Sequence, residues 1–224
     1  MMNVKLVSWS SPSKDMVAEG IEDVQDLIAY CARVSNPSNQ NNKETSEKLI
    51  NYLVKHKHWS PLEMASACLE IETTRDIARQ ILRHRSFSFQ EFSQRYANPL
   101  DDLEFVTREA RLQDPKNRQN SVFTTDMQIH TFWEAYQKRV IEEAKNAYEW
   151  AITRGIAKEQ ARVVLPEGLT MSRMYMNGTL RSWIHYIELR SANGTQKEHM
   201  DVARACAEVI ADIFPLSESF VEKE

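Results

Sequence analysis

The chain has 224 residues, 42% apolar content and a formal net charge of −4. That length can bury a sizeable core as one domain over 1–224, and the acidic balance excludes a general nucleic-acid binder, so any anionic ligand must be met by a local basic patch. No apolar run approaches a membrane span, the opening MMNVKLVSWSS lacks a signal-peptide stretch, and Cys31, Cys68 and Cys206 are spaced as reduced thiols of a cytoplasmic protein, not as a disulfide framework.

Residues 4–8 read as an opening strand. Residues 23–34 carry Val24, Leu27, Ile28 and Cys31 at helical spacing. A polar loop over 36–42 leads to a helix over 44–56 with Leu49, Ile50, Leu53 and Val54 inward. Ser60-Pro61-Leu62-Glu63 has the form of a capping box with proline at the first helical position, so Ser60 is expected to cap a short turn. Residues 67–73 alternate, Leu69 and Ile71 against Glu70 and Glu72, and predict a strand.

Thr74 is placed to cap a helix reaching about Arg85, followed by irregular or extended chain up to Pro99. A strand is expected over 103–107. The polar, turn-rich stretch 108–121 reads as a loop, more mobile than its surroundings and not catalytic. A long helix over 125–154 should close at Gly155, and a short one over 158–164 should stop at Pro166. Residues 169–176 read as a strand, Thr179 as the cap of a helix to about Arg190, and a last helix runs from about Thr195 to Phe214. The balance is α+β: a helix-rich single domain with a small, mostly antiparallel sheet.

One stretch departs from the rest in composition. Between Arg75 and Arg95 there are five arginines, one histidine and no lysine, opposed only by Asp76 and Glu91. The planar guanidinium fork grips phosphate and carboxylate in a bidentate way that lysine cannot. On a helix to Arg85, Gln80, Arg83 and His84 would share a face. In the following SFSFQEFSQRY, extended backbone would put Phe89, Glu91, Ser93 and Arg95 on one side, which suits a nucleotide. An isolated Arg-His-Arg would read as a solvated charged face.

Arg83-His84-Arg85, seven residues, then Ser93 matches the signature of the flavin-dependent thymidylate synthases, and Glu91 and Arg95-Tyr96 also resemble that family. By this resemblance Arg83, His84 and Arg85 contact FAD, and Gln80 and Arg83 contact dUMP. Glu91, Phe92, Ser93, Gln94 and Arg95 would bind dUMP from a neighbouring subunit, with Glu91 also near the flavin.

Three further segments carry the same resemblance. His58-Trp59-Ser60-Pro61-Leu62-Glu63 is similar to the family's H-x-[ST]-P-x-E, which implies FAD contact by Ser60 and a place for His58 near flavin and folate. Read alone, His56-x-His58 could be two metal ligands, but no third or fourth stands nearby, and no metal is expected. Ala161-Arg162-Val163-Val164-Leu165-Pro166 resembles A-R-x-x-L-P, whose arginine, here Arg162, binds dUMP. The run from Arg181 to Arg190 resembles R-S-x-x-x-(F/Y)-x-x-L-R. It implies FAD contacts from an adjacent subunit by Arg181 and His185, with Thr179 beside them, and activation of the uracil ring by Arg190. His185 stands where many relatives have asparagine, and one residue is inserted just before Arg181.

The resemblance implies reductive methylation of dUMP to dTMP, with methylenetetrahydrofolate as carbon donor and NADPH reducing FAD. It also implies a homotetramer with active sites shared between subunits, and small-molecule partners without nucleic acid or membrane. No Gly-x-Gly-x-x-Gly occurs, so FAD is not expected in the dinucleotide-fold manner. The alternative is a non-catalytic arginine-rich RNA- or nucleotide-binding module, which the net acidity disfavours. None of the cysteines is expected to act as a nucleophile.

Overall fold

A computed structural model describes residues 2–222. In chain order the elements are β1 (Asn3–Trp9), α1 (Lys14–Ala18), α2 (Val24–Ala32), α3 (Ser46–Lys55), β2 (Ser66–Thr74), α4 (Arg75–Ile81), β3 (Ser88–Glu91), α5 (Pro99–Asp102), β4 (Arg111–Gln113), β5 (Ser121–Phe123), α6 (Met127–Thr153), α7 (Lys158–Ala161), β6 (Met171–Thr179), α8 (Leu180–Ser191) and α9 (Lys197–Ala211). Short 3-10 turns occur at Pro37–Asn39, Ser60–Glu63, Arg162–Val164 and Pro215–Phe220. The class is α+β, as expected: helices dominate around a four-stranded antiparallel sheet of order β1-β2-β6-β3.

The two central strands explain why one face of this sheet is buried. Along β2, Ala67, Leu69 and Ile71 are fully buried, while Glu70 and Glu72 face the other way. Along β6, Met174 and Met176 point into the core while Arg173 and Tyr175 are exposed. Period-two alternation of this kind places one side of a sheet against helices and leaves the other wet. On the wet side Arg173 pairs with Glu72 and the Tyr175 hydroxyl donates to Glu70 at 2.8 Å. On the dry side α8 and α9 supply Trp183, Ile184, Ile187, Val202, Ala203, Cys206 and Ile210.

A second, smaller core joins the far half of α6 to α7 through Tyr148, Ala151, Ala161 and Leu165. Asp126 caps α6 by accepting from the Gln128 and Ile129 N–H groups, and Gly155 ends it with φ at 78°, the left-handed geometry that favours glycine. Along the exposed side of α6 lie Phe132, Trp133, Tyr136 and Val140. Among the described residues no helix is long and apolar enough to cross a membrane.

Several expectations are corrected. Residues 103–107 form no strand; a single bridge joins Phe105 to Thr170. The 108–121 stretch is not a simple loop: β4 and β5 pair as a hairpin. Its turn is closed by Asp114, which accepts from the Lys116 and Asn117 N–H groups. The hairpin base is tied down by Arg108, which donates to Asp76 and Thr74. Ser60 lies inside the first turn of its 3-10 segment rather than before it, and makes no cap hydrogen bond. Thr74 stands at the N-cap of α4, but its hydroxyl serves Asp76 and Arg108 instead of the helix N–H groups.

Candidate active site

The arginine motif sits in a turn, not on a helix. α4 ends at Ile81, four residues short of Arg85, and the Arg83 and His84 N–H groups close turns onto Gln80 and Ile81. The chain must leave the helix there because Phe87 seats on Gly178 of β6 and Ser88 onward pairs with that strand. Gln80, Arg83 and His84 therefore do not share a helical face. Arg83 and Arg85 are exposed, and among the described residues neither guanidinium has an ion-pair or hydrogen-bond partner.

His84 turns inward, where its Nε2 accepts from Arg190 Nε at 2.9 Å. Burial, the Arg190 charge and the Arg83 charge lower its pKa to about 4, so the ring is neutral and can accept. It stands edge-on to Tyr186, ring centroids 5.0 Å apart. Behind them lies His199, fully buried, with Nδ1 3.2 Å from Gln80 Oε1 and Nε2 3.2 Å from the Tyr186 hydroxyl. Gln80 Nε2 donates onward to Gln196 at 2.8 Å. Sequence reasoning missed His199 and Gln196. The signal for His199 was its place on the α9 stripe with Val202, Ala203 and Cys206, a polar residue at a core position.

A second group gathers at the other end of β6. Glu91 accepts from Ser172 at 2.9 Å and from Arg79 at 3.3 Å, with Arg75 3.7 Å away. Glu167 lies near both arginines. Arg75 is 5% exposed, and burial lowers its pKa against the pull of Glu91, with the charges of Arg79 and Arg162 adding to the fall. Arg95 pairs with Glu159 at 3.4 Å, and Arg162 donates to the carbonyl of the same Glu159 at 3.3 Å. Thus Glu91, Arg95 and Arg162 lie in one neighbourhood.

The expected alternation stops early in this segment. Phe92 still donates to Arg173, but the Tyr96 and Ala97 N–H groups bend back onto the Ser93 carbonyl. Ser93 and Arg95 therefore do not continue the Phe89–Glu91 face. Gln94 is buried inside that turn, and its Nε2 has no partner.

The third group lies on α8 and the 3-10 turn Ser60–Glu63. Arg181 is paired with Glu63, and the His185 ring meets Trp59 edge-on at 4.5 Å. Burial and the Arg181 charge lower the His185 pKa. Thr179 caps α8 by accepting from the Ser182 N–H, as expected. Ser60 and His58 are exposed beside this group. At about 100° per residue, Arg181 and His185 lie roughly 150° around the helix from Trp183, Tyr186 and Arg190. The two faces of α8 thus serve different places. Likewise Ser172, which holds Glu91, and Thr179 are seven residues apart along β6, about 23 Å of extended chain.

A cleft of about 1320 Å³ opens between the β4–β5 hairpin and the beginnings of α6 and α9, lined by Arg111, Trp133 and Gln196 among others. The 108–121 stretch lines it but none of the candidate FAD- or dUMP-binding residues does, although Gln196 connects its wall to Gln80. The motif residues lie instead outside this cleft, in three groups. Among the described residues no three His, Cys, Asp or Glu side chains are grouped to hold a metal.

The family model described as thymidylate synthase complementing protein matches residues 17–216. A protein of Paramecium bursaria Chlorella virus 1 named probable flavin-dependent thymidylate synthase is 49% identical over 214 residues, 96% of each chain. A flavin-dependent thymidylate synthase of Synechocystis sp. is 45% identical over the same length and coverage. Among solved structures, a UMP/dUMP methylase, PolB, from Streptomyces cacaoi bound with 5-Br dUMP superposes with a TM-score of 0.80 at 26% identity. That match covers 98% of this chain and 94% of that one.

Proposed function

The chain belongs to the flavin-dependent thymidylate synthase family, and from that premise we propose that its three residue groups hold FAD and dUMP in sites completed between subunits. It is a flavin-dependent methyltransferase that converts dUMP to dTMP. In the proposed reaction methylenetetrahydrofolate is the carbon donor and NADPH the reductant. Bound FAD supplies the hydride chemistry.

The observation that carries the site assignment is the pair of unpartnered, exposed guanidiniums at Arg83 and Arg85. The other three arginines between Arg75 and Arg95, namely Arg75, Arg79 and Arg95, are matched to carboxylates. Two free forks beside a neutral histidine fit a pyrophosphate, so the residues present suit FAD. Gln94, with a buried N–H group lacking a partner, fits a segment that awaits a ligand. Ser60, Thr179, Arg181 and His185 would hold the flavin from another subunit, with His58 toward the folate. Glu91, Phe92, Ser93, Gln94, Arg95 and Arg162 would hold dUMP, joined by Gln80 and Arg83.

Arg190 would act on the uracil ring. Its Nε is committed to neutral His84, which fixes the plane of the fork and leaves the terminal nitrogens for substrate. A cation held there stabilises negative charge developing on the ring.

The opposite faces of α8 and the opposite ends of β6 support sharing, since they set Arg181 and His185 apart from Arg190, and Thr179 apart from Glu91. The exposed aromatic stripe of α6 supports the homotetramer, because monomers rarely leave such a patch to water. The test is purification followed by assay. The protein should elute as a tetramer, absorb as a flavoprotein and form dTMP from dUMP with methylenetetrahydrofolate and NADPH. No dTMP from flavin-loaded protein, or a colourless monomer that makes dTMP, would overturn the reading.

A further inference from the structure

A chain of hydrogen bonds behind Gln80, half-buried at Glu198 and fully buried at Tyr186, has only one consistent direction. It begins at Glu198 in the first turn of α9, whose carboxylate is held by Arg111 and by Gln196 Nε2 at 2.9 Å. Burial works against that charge. Hydrogen bonds from its own N–H and from Gln196, with the Arg111 and Arg108 charges, nonetheless hold the Glu198 carboxyl below its ordinary range. An ionised carboxylate only accepts.

Gln196 must therefore aim its NH2 at Glu198 and its carbonyl at Gln80. Gln80 must then donate through Nε2 to Gln196, which it does at 2.8 Å, and its Oε1 is left to accept. The group facing Oε1 is His199 Nδ1, so that nitrogen carries the proton. His199 Nε2 is consequently bare and accepts from the Tyr186 hydroxyl. Both rings are almost wholly out of water, His199 at 0% and Tyr186 at 1% exposure. Neither can exchange its partner for solvent.

We infer that His199 is a positioning residue: with Tyr186 behind it, it locks the Gln80 amide in one orientation, so that the half-buried Gln80 presents a fixed donor and a fixed acceptor to the nucleotide. The inference rests on the reading of Gln80 as a dUMP contact. An amide held at one atom only can rotate by half a turn and exchange donor for acceptor. Here both atoms are held, Nε2 by Gln196 and Oε1 by His199. One N–H of Nε2 and one lone pair of Oε1 remain, and a buried mismatch at either would leave a polar group unpaired. Folding thus sets the donor–acceptor sense of the site before substrate arrives. That is preorganisation, and its effect falls on binding.

The experiment compares His199→Asn with His199→Gln in the full-length, flavin-loaded enzyme. Asparagine can place an N–H near the position of Nδ1 and keep the bond to Gln80, while losing Tyr186. Glutamine reaches toward Tyr186 and leaves Gln80 without its donor. His199→Gln is expected to raise KM for dUMP about tenfold, with kcat and flavin content within about threefold of the parent. His199→Asn is expected to stay within about threefold in KM. Tyr186→Phe, which leaves the Nδ1 bond in place, should fall between them.

Equal loss of flavin and turnover in Asn and Gln variants would mean a structural role and overturn the inference. Unchanged KM in both would overturn it as well. If the parent enzyme makes no dTMP, the functional reading fails and the inference with it. An active parent with indistinguishable variants sinks only the lock.

Discussion

Replacing Gly178 with alanine would drive a methyl group into the Phe87 ring. A Cβ at that position would stand 2.4 Å from Phe87 Cδ1 and 2.6 Å from Cε1. Carbon atoms rest at about 3.5–4.0 Å, so the ring would have to retreat by roughly 1–1.5 Å. It has little room to do so, being 9% exposed and wedged edge-on against Trp183 at 4.8 Å between centroids. Trp183 in turn is pinned by its Nε1, which donates to the Ala67 carbonyl at 3.0 Å. Overpacking of this kind costs about 1–3 kcal/mol. In a chain of this length that lowers Tm by roughly 2–12 °C.

The functional consequence is more specific than the loss of stability. Phe87 anchors the turn that carries Arg83, His84 and Arg85, so its displacement should also lower FAD occupancy. Thermal melting at fixed protein concentration, with bound flavin read from absorbance, measures both. Combining Gly178→Ala with Phe87→Leu should recover part of each loss, since the added methyl then meets a smaller side chain. A Gly178→Ala protein that melts within about 1 °C of the parent and is fully loaded with flavin would refute the reasoning.

Arg190→Ala should lower turnover by about 10²–10³ and weaken dUMP binding with little change in flavin. Arg190→Lys should also be poor, because one ammonium cannot hold His84 and offer a fork as well; near-normal dTMP formation by the lysine variant would assign Arg190 a structural role. Replacing Cys31, Cys68 and Cys206 together by serine or alanine should spare turnover per flavin-loaded subunit. Burial pushes all three thiols up and away from the thiolate, Cys206 furthest, and Cys206 is wholly buried while the others are partly so. A folded, FAD-bound triple variant without turnover would contradict this.

Stability should also fall with acid. Burial and neighbouring arginine charge hold His84 at about 4 and His199 at about 3, against 6.5 unperturbed. The unfolded chain therefore takes up their protons first, and the stabilisation present above pH 6.5 is lost progressively as pH drops toward 4 and below. Denaturant midpoints at about pH 7 and about pH 5 should differ less in a His84→Asn, His199→Asn double variant than in the parent.

What could be read from sequence was whatever depends on neighbours within a turn or two of chain. The alternation of Leu69 and Ile71 with Glu70 and Glu72 marked β2, and the cap at Thr179 marked the start of α8. Gly155 marked the end of α6. The spacing of Arg83-His84-Arg85 and Ser93 gave the family, which the full-length relatives bear out. Local periodicity overran, however, at Arg85. Nothing within 82–85 forbids helix; the helix stops because Phe87 must reach Gly178 and β3 must pair with β6, partners that meet only after the sheet closes.

The polar turn-formers of 108–121 looked like a loop because the β4–β5 strands are only three residues each, and the grip of Arg108 on Asp76 that ties the hairpin down lies across the fold. The direction of the Gln80 amide was wholly hidden. It is set by a histidine 119 residues away whose own proton is placed by Glu198 and Tyr186. A hydrogen-bond network has a sense only when all its members are in place, and only packing of α4, α8 and α9 into one core brings them together.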